Sequence, residues 1–381
     1  MLEDESGRLR LVGTPLQISM LVTGCIIAVM GTENANGEFE IVDMKVPDLP
    51  RQPQRWERDE GDEALANGNG NGNSAIPDME KSTKGSKIAI VSGLSFSGDE
   101  GDTLTVDLLM EFLLGEACGP STQTDVSRIS RLIIAGNSIS EGSPLLAHDE
   151  LDAKKLSKKY GYDSTTYNAA PTQHFDEFLA TLLPSIPITL LPGEDDPANV
   201  SLPQQPIHPA MFPRSRNYIA DMGSTEPGWF DSVTNPWEGD VDGWRLMGNG
   251  GQPIDDIFKY VEGDERLDMI ENVLRWRCGA PTAPDTLCES TRAFWDASAN
   301  DAIMKGCYPY QDKDQFVIEE CPHVYFVGSQ PRFETTVIEG PNGQAVRLIA
   351  VPKFKKTGEL LLLDTDTLEV ECLKFEIFNE T

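Results

Sequence analysis

Histidine is scarce in this 381-residue sequence, with 4 in all, and basic residues are outnumbered: 31 Lys and Arg against 62 Asp and Glu, a net charge of −31. Such a chain repels phosphate backbones, because duplex affinity comes mainly from cations that displace condensed counterions. The charge predicts no strong direct contact with nucleic acid. It suits a basic partner surface, or plain solubility. The seven cysteines, at 25, 118, 278, 288, 307, 321 and 372, include no pair at the spacing of a zinc knuckle. Their odd count argues against a closed disulfide framework. Long apolar runs are missing too. Residues 21–30, the most apolar early stretch, are interrupted by Thr23 and Gly24, and a spanning helix needs about 20 apolar residues. The acidic Glu3-Asp4-Glu5 ahead of them is not the basic start of a signal peptide. The expectation is a soluble, intracellular protein without a membrane span, its thiols reduced and mostly buried.

Apolar residues make up 39% of the chain, with 15 Phe and 6 Trp, enough for a packed core. Residues 8–46 predict three short strands, at 8–13, 22–31 and 39–46, with Asn36-Gly37 as the hairpin turn between the last two. Three strands are too few to close a barrel. Residues 51–86 read as an acidic linker whose Asn67-Gly68-Asn69-Gly70-Asn71-Gly72 repeat has no side chain to bury. From residue 87 the pattern changes. The runs Ile88-Ala89-Ile90-Val91, Leu132-Ile133-Ile134-Ala135 and Ile188-Thr189-Leu190-Leu191, apolar but for Thr189, alternate with helical spacings at Leu104, Leu108, Leu109, Phe112 and at Phe175, Phe178, Leu179, Leu182. That alternation predicts parallel strands covered on both faces. A helix near 267–276, a strand at 323–327 and two or three strands between 345 and 378 follow, the last group expected as an antiparallel second sheet. Residues 216–231 and 288–305 read as surface insertions.

Ligands of open α/β sheets gather beyond the carboxyl ends of the strands. Here those ends read Ser92-Gly93-Leu94, Gly136-Asn137-Ser138-Ile139-Ser140, Gly193-Glu194-Asp195-Asp196 and Gly328-Ser329-Gln330-Pro331. Their order and spacing resemble the calcineurin-like metallophosphoesterases, whose strand ends carry Asp-x-His, Gly-Asp-x-x-Asp, Gly-Asn-His-Asp/Glu and Gly-His-x-His. Laid onto that pattern, Ser92 and Leu94 replace the first Asp and His. Asn137 and Ser140 replace the two acids of the second motif, Glu194 and Asp195 the Asn and His of the third, and Ser329 and Pro331 the late histidines. A dinuclear hydrolase needs carboxylates and imidazoles around two cations, and leucine and proline ligate nothing. Asn137, Glu194 and Asp195 leave at most a weak site for one hard cation such as Mg²⁺. No catalytic residue, metal or cofactor is expected. Gly93, Gly136, Gly193 and Gly328 are read as serving tight backbone geometry.

Longer stretches resemble the small (B-type) subunits of eukaryotic DNA polymerase delta. They include Val91-Ser92-Gly93-Leu94, Leu202-Pro203-Gln204-Gln205-Pro206-Ile207-His208-Pro209, Pro281-Thr282-Ala283-Pro284-Asp285-Thr286-Leu287 and Cys321-Pro322-His323-Val324-Tyr325-Phe326. The resemblance implies an α/β fold: an inactive calcineurin-like phosphoesterase sandwich of two mixed sheets flanked by helices at 87–381, preceded by the closing part of an OB-fold barrel at 1–50. It also implies a nuclear, non-catalytic scaffold in DNA replication and repair. Its partners would be the cysteine-rich C-terminal domain of the polymerase catalytic subunit, a third polymerase delta subunit and the polymerase zeta catalytic subunit. The proline-rich run at 203–213 either presents a partner surface or packs across the degenerate site. Two rivals remain: an active phosphoesterase with an altered metal site, and a single-strand binder through the OB part. OB folds grip single strands with basic grooves and aromatics. Residues 8–46 hold only Phe39 as an aromatic, with Arg8, Arg10 and Lys45 as bases.

Overall fold

The computed structural model describes residues 1–4, 7–54, 86–97, 104–140, 169–199, 201–219, 228–283 and 314–376. The Asn-Gly repeat and the expected insertion at 288–305 lie outside them. Near the N-terminus β1 (Leu2–Asp4) pairs with β2 (Gly7–Leu9). β3 (Leu11–Val12), β4 (Ala28–Glu33) and β5 (Phe39–Lys45) form a three-stranded sheet of order β3-β5-β4. The Asn-Gly turn forms as expected: Asn34 Oδ1 accepts from the backbone N–H of Asn36 at 2.9 Å and of Glu38 at 3.0 Å, and Gly37 sits at φ 75°. The strands at 8–13 and 22–31 differ from expectation. The first splits between two sheets at Arg10, whose carbonyl accepts from Phe39 N at 2.8 Å. The second begins only at Ala28, because Met20, Val22 and Cys25 pack on the body of the protein instead of pairing. Gly24, at φ 82°, approaches the Pro281 backbone so closely that a Cβ would lie within 1.9 Å of its carbonyl oxygen.

The body is built on two sheets. In the first, β6 (Lys87–Val91), β7 (Ile129–Ala135), β8 (Ile188–Leu191) and β9 (Phe230–Ser232) run parallel. The second contains β10 (Trp237–Val241), β11 (Trp244–Asn249), β12 (Val324–Gln330), β13 (Glu334–Glu339) and β14 (Ala345–Pro352), in the order β10-β11-β12-β14-β13. β15 (Glu359–Asp364) and β16 (Val370–Lys374) complete the first sheet, whose order is β16-β15-β6-β7-β8-β9. The C-terminal strands therefore do not make an antiparallel sheet of their own. β14 lies parallel to β12 in the second sheet, while β15 returns antiparallel to β6 in the first. Residues 216–231 are not wholly a surface insertion either. Phe230 is fully buried in β9, and residues 220–227 lie outside the described ones.

Alternation along the inner strands explains why their apolar runs continue on both faces. Ile88 and Ile90 of β6 face the second sheet, where Val324, Phe326 and Ile349 meet them, whereas Ala89 and Val91 face the opposite way. There the helices Leu104–Leu113 and Ala170–Leu182 cover the sheet through Leu109, Leu113, Phe175, Phe178 and Leu182. Tyr325 and Val327 of β12 likewise meet the helices Gln252–Phe258 and Arg266–Trp276 through Ile254, Ile257, Met269, Ile270 and Val273. The result is a helix–sheet–sheet–helix sandwich, each fully buried Leu or Ile adding about 1.5–3 kcal/mol. Residues 47–54 lie against it: Leu49 is buried in the second core, and Gln52 Nε2 donates to the carbonyls of Pro322 at 2.9 Å and Ala345 at 2.7 Å.

Candidate functional site at the carboxyl ends of the strands

The parallel strands β6, β7, β8, β11 and β12 end on one edge of the sandwich, and there backbone packs on backbone. A Cβ on Gly136 would lie 3.0 Å from Gly250 Cα and 3.1 Å from Gly193 Cα. One on Gly328 would meet Ala135 O at 2.1 Å, and one on Gly193 would meet Asn137 N at 2.2 Å. Gly93 and Gly136 need glycine for a second reason, φ values of 64° and 80°. The sequence reading of these glycines as tight geometry holds, with close approach at Gly193 and Gly328 and left-handed backbone at the other two.

Three of the sequence-predicted positions meet inside this edge. Ser92 Oγ donates to Ala135 O at 2.6 Å and accepts from Ser329 N at 2.8 Å. Asn137 Nδ2 donates to Ser329 Oγ at 2.8 Å, and Asn137 Oδ1 accepts from Asp195 N at 3.0 Å. All three side chains are buried. Asn137 and Ser329 adopt left-handed backbone, φ 54° and 57°, a conformation that asparagine tolerates and that is uncommon for serine. The other positions lie elsewhere. Leu94 is fully buried in the helix-side core, and Ser140 donates to Phe96 O at 3.0 Å. Glu194, Asp195 and Pro331 are exposed. Of the histidines, His208 accepts from Ala210 N at 3.1 Å and His323 from Arg245 N at 3.3 Å.

The acid that turns inward is Asp196, next to the two singled out from sequence. It is 6% exposed and accepts from Ile139 N at 2.8 Å and Gly193 N at 2.7 Å, tying the ends of β7 and β8 together. Burial pushes its carboxyl up to about 6, against the opposing pull of the backbone N–H groups of Ile139, Gly193, Ser138 and Asn137. An amide cluster, also not singled out from sequence, closes the edge beside it. Gln204 Nε2 donates to Gly193 O at 2.9 Å, while Gln204 Oε1 accepts from Asn235 Nδ2 at 2.8 Å and Gln252 Nε2 at 2.9 Å. Asn235 Oδ1 in turn accepts from Gly250 N at 3.0 Å. The proline-rich run thus starts at the strand ends, where Gln204 is buried, and continues into the helix-side core through Ile207 and Phe212.

The donor set suits neutral hydrogen bonding. Both polar atoms of the Asn137 amide are engaged within the protein. Among the described residues no group of three or more His, Cys, Asp or Glu is placed to hold a metal ion. The thiols are held back by burial, which pushes Cys25 and Cys278 up to about 11 and Cys321 to about 12, far from the thiolate that nucleophilic chemistry needs. No helix among the described residues is long and apolar enough to cross a membrane.

Residues 88–335 match the B-subunit family of DNA polymerases alpha and epsilon, and residues 1–44 match the DNA polymerase delta subunit OB-fold domain. The chain is 34% identical to the DNA polymerase delta small subunit of Arabidopsis thaliana over 375 residues, 98% of this chain and 72% of that protein. It is 35% identical to the small subunit of Saccharomyces cerevisiae over 402 residues, 99% of this chain and 70% of that one. With DNA polymerase delta subunit 2 of Drosophila melanogaster the identity is 29%, covering 99% of this chain and 73% of the relative. A family match through most of the sandwich, an OB-fold match ahead of it and relatives of this identity along nearly the whole chain lead to one conclusion: the chain belongs to the DNA polymerase delta small-subunit family.

Proposed function

We propose that the chain is a non-catalytic scaffold of a nuclear DNA polymerase delta assembly, and that its strand-end crevice is a phosphoesterase site whose metal chemistry has been lost. Its partners in this reading are the cysteine-rich C-terminal domain of the catalytic subunit and a third, extended subunit, with the polymerase zeta catalytic subunit as an alternative host. The observation that carries the reading is the Ser92–Ser329–Asn137 network. Hydroxyls and an amide that satisfy one another leave no charged cradle for the two cations that would clamp phosphate and generate hydroxide. The charge of −31 supports the rest: an acidic scaffold receives basic partner segments and does not compete for the template.

Two measurements test it. Co-expression with the cysteine-rich C-terminal fragment of a polymerase delta catalytic subunit should yield a complex that survives gel filtration. Absence of that complex overturns the scaffold role. Incubation with Mn²⁺ and bis(p-nitrophenyl) phosphate should give no turnover above buffer. Turnover abolished by Glu194→Gln or Asp195→Asn would establish the phosphoesterase alternative.

A further inference from the structure

Four strands form the edges of the two sheets of the sandwich: β16 and β9 in the first, β10 and β13 in the second. Shortness, charge, proline or a bulge protects an edge from pairing with another chain. β9 has three residues, β10 carries Glu238 and Asp240, and β16 carries Glu371 and Lys374. β13 is different. It is six residues long and pairs with β14 without a register shift, and its centre is Thr335, Thr336, Val337 and Ile338, with charge only at its ends. We propose that β13 receives an antiparallel β-strand from a partner polypeptide, one that turns apolar residues and a carboxylate inward between the two sheets.

The backbone of β13 has a free row of hydrogen-bonding groups. Arg347 N donates to His323 O at 2.9 Å, so Arg347 turns its peptide groups toward β12. By alternation Val346 and Leu348 turn theirs toward β13, where Ile338 and Thr336 stand opposite them. Gly340 N, which donates to Gln344 O at 2.9 Å, continues the same series. The N–H and C=O groups of Thr335 and Val337 therefore face away from β14, and no hydrogen bond from another described residue engages them. The Val337 side chain beside them is exposed, the residue being 46% accessible.

Stacking and charge narrow the occupant. The first sheet has six strands and the second five. β7 meets β12 and β6 meets β14, which sets β13 over β15 and leaves β16 with no described strand opposite it. The inward residues of β16, Val370 and Cys372, join the core between the sheets only in part; a strand added to β13 would cover them. Arg347 supplies the charge. It lies opposite Val337, on the inward face shared with Val324 and Ile349, and its buried Nε has no hydrogen-bond partner. A buried donor left unsatisfied costs stability, and a carboxylate is the strongest acceptor for a guanidinium. Two strand spacings, about 10 Å, separate β14 from the added strand, a span that an arginine and a glutamate side chain cover together. A second copy of this chain suits the edge poorly, because a charge of −31 would meet its equal.

The inference rests on the scaffold reading for the existence of a partner, and its test needs none. The full chain is titrated with the fluorescein-labelled peptide Lys-Val-Thr-Glu-Thr-Val-Lys, whose two valines and glutamate face inward when the glutamate stands opposite Val337. Saturable binding is expected, with slowed hydrogen exchange confined to β13. Methylating the backbone nitrogens of the two valines removes donors aimed at β13 and should abolish binding. Methylating those of the two threonines, which face away, should leave it unchanged. Glutamine in place of the glutamate should weaken binding about tenfold, and Arg347→Met should erase that difference. Val337→Pro removes an N–H on the free edge and no bond to β14, so it should abolish binding while the thermal melt stays near that of the wild type. The methylated peptides test the pairing on the unaltered protein. No saturation, equal effects of the two methylated peptides, or a glutamate preference that survives Arg347→Met would each overturn the assignment. So would a dimer of the chain alone that Val337→Pro dissociates. No polymerase subunit enters these readouts, so failure here is separable from failure of the co-expression.

Discussion

Asp196→Asn isolates the effect of one buried carboxyl on stability. Desolvation raises the Asp196 carboxyl from 3.8 to about 6 in the folded protein. Between these values the folded chain holds a proton that the unfolded chain has released, so raising the pH favours unfolding. The contribution of Asp196 is therefore complete below pH 4 and is lost as the pH passes through 6. At about 1.4 kcal/mol per unit the loss is about 3 kcal/mol. Asparagine keeps the shape but does not titrate, and its amide sets N–H against one of the two backbone donors, Ile139 N or Gly193 N. That mismatch costs about 1–3 kcal/mol at any pH. Urea unfolding of both proteins from pH 4 to pH 7 gives the gap between them, in which the many other titrating acids cancel. The wild-type advantage should shrink by about 3 kcal/mol on going from pH 4 to pH 7. A gap that stays flat or widens would refute the assignment of Asp196 as a carboxyl whose burial outweighs its hydrogen bonds.

Further outcomes follow from the same edge and from the joint beside it. Gly328→Ala places a methyl 2.1 Å from Ala135 O, and overpacking against backbone should destabilise by about 1–3 kcal/mol in a urea melt. Ser92→Ala removes the acceptor of Ser329 N and the donor to Ala135 O, and should lower the unfolding free energy by about 1–3 kcal/mol, with no change in the far-UV spectrum. Arg277→Met deletes the bonds to the carbonyls of Pro47, Asp48 and Leu49. Limited proteolysis should then release the first fifty residues faster, while hydrogen exchange in the helix Arg266–Trp276 stays slow.

How much of this is legible in the sequence depends on how many faces a residue must satisfy. β6, β7, β8 and β12 each carry a run of apolar residues on both faces, broken only by Thr189 within β8 and by polar residues at the ends of the others, because one face meets a helix and the other a sheet, so they stand out in any reading. β10 and β13 do not. The edge strand β10 carries Glu238 and Asp240, and five of the six residues of β13 are at least partly exposed, which leaves them indistinguishable from loops. The sheet that β14 or β15 joins is set by where the chain crosses over, and both are equally apolar. At the site, Ser92, Asn137 and Ser329 are found because strand ends are where ligands collect. Gln204, Asn235 and Gln252 are not, because amides far apart in the chain carry no local sign of meeting. In Glu194-Asp195-Asp196 three acids stand in a row, and only the fold decides that the third points inward.

That choice explains why one acid persists where its neighbours in space are hydroxyls and amides. Strands that end against one another leave backbone N–H groups aimed into a space closed to water, and each such donor needs an acceptor. Neutral side chains answer singly: Ser92 takes Ser329 N and Asn137 takes Asp195 N. The turn after β8 and the residues after β7 direct N–H groups from both sides to one point, and a carboxylate takes Ile139 and Gly193 there with one oxygen each. The cost of burying its charge shows in the raised carboxyl. A carboxylate held for metal binding would instead turn an oxygen toward other acids and imidazoles. At Asp196 both oxygens face backbone donors, so the acid is accounted for as a clamp between two strand ends.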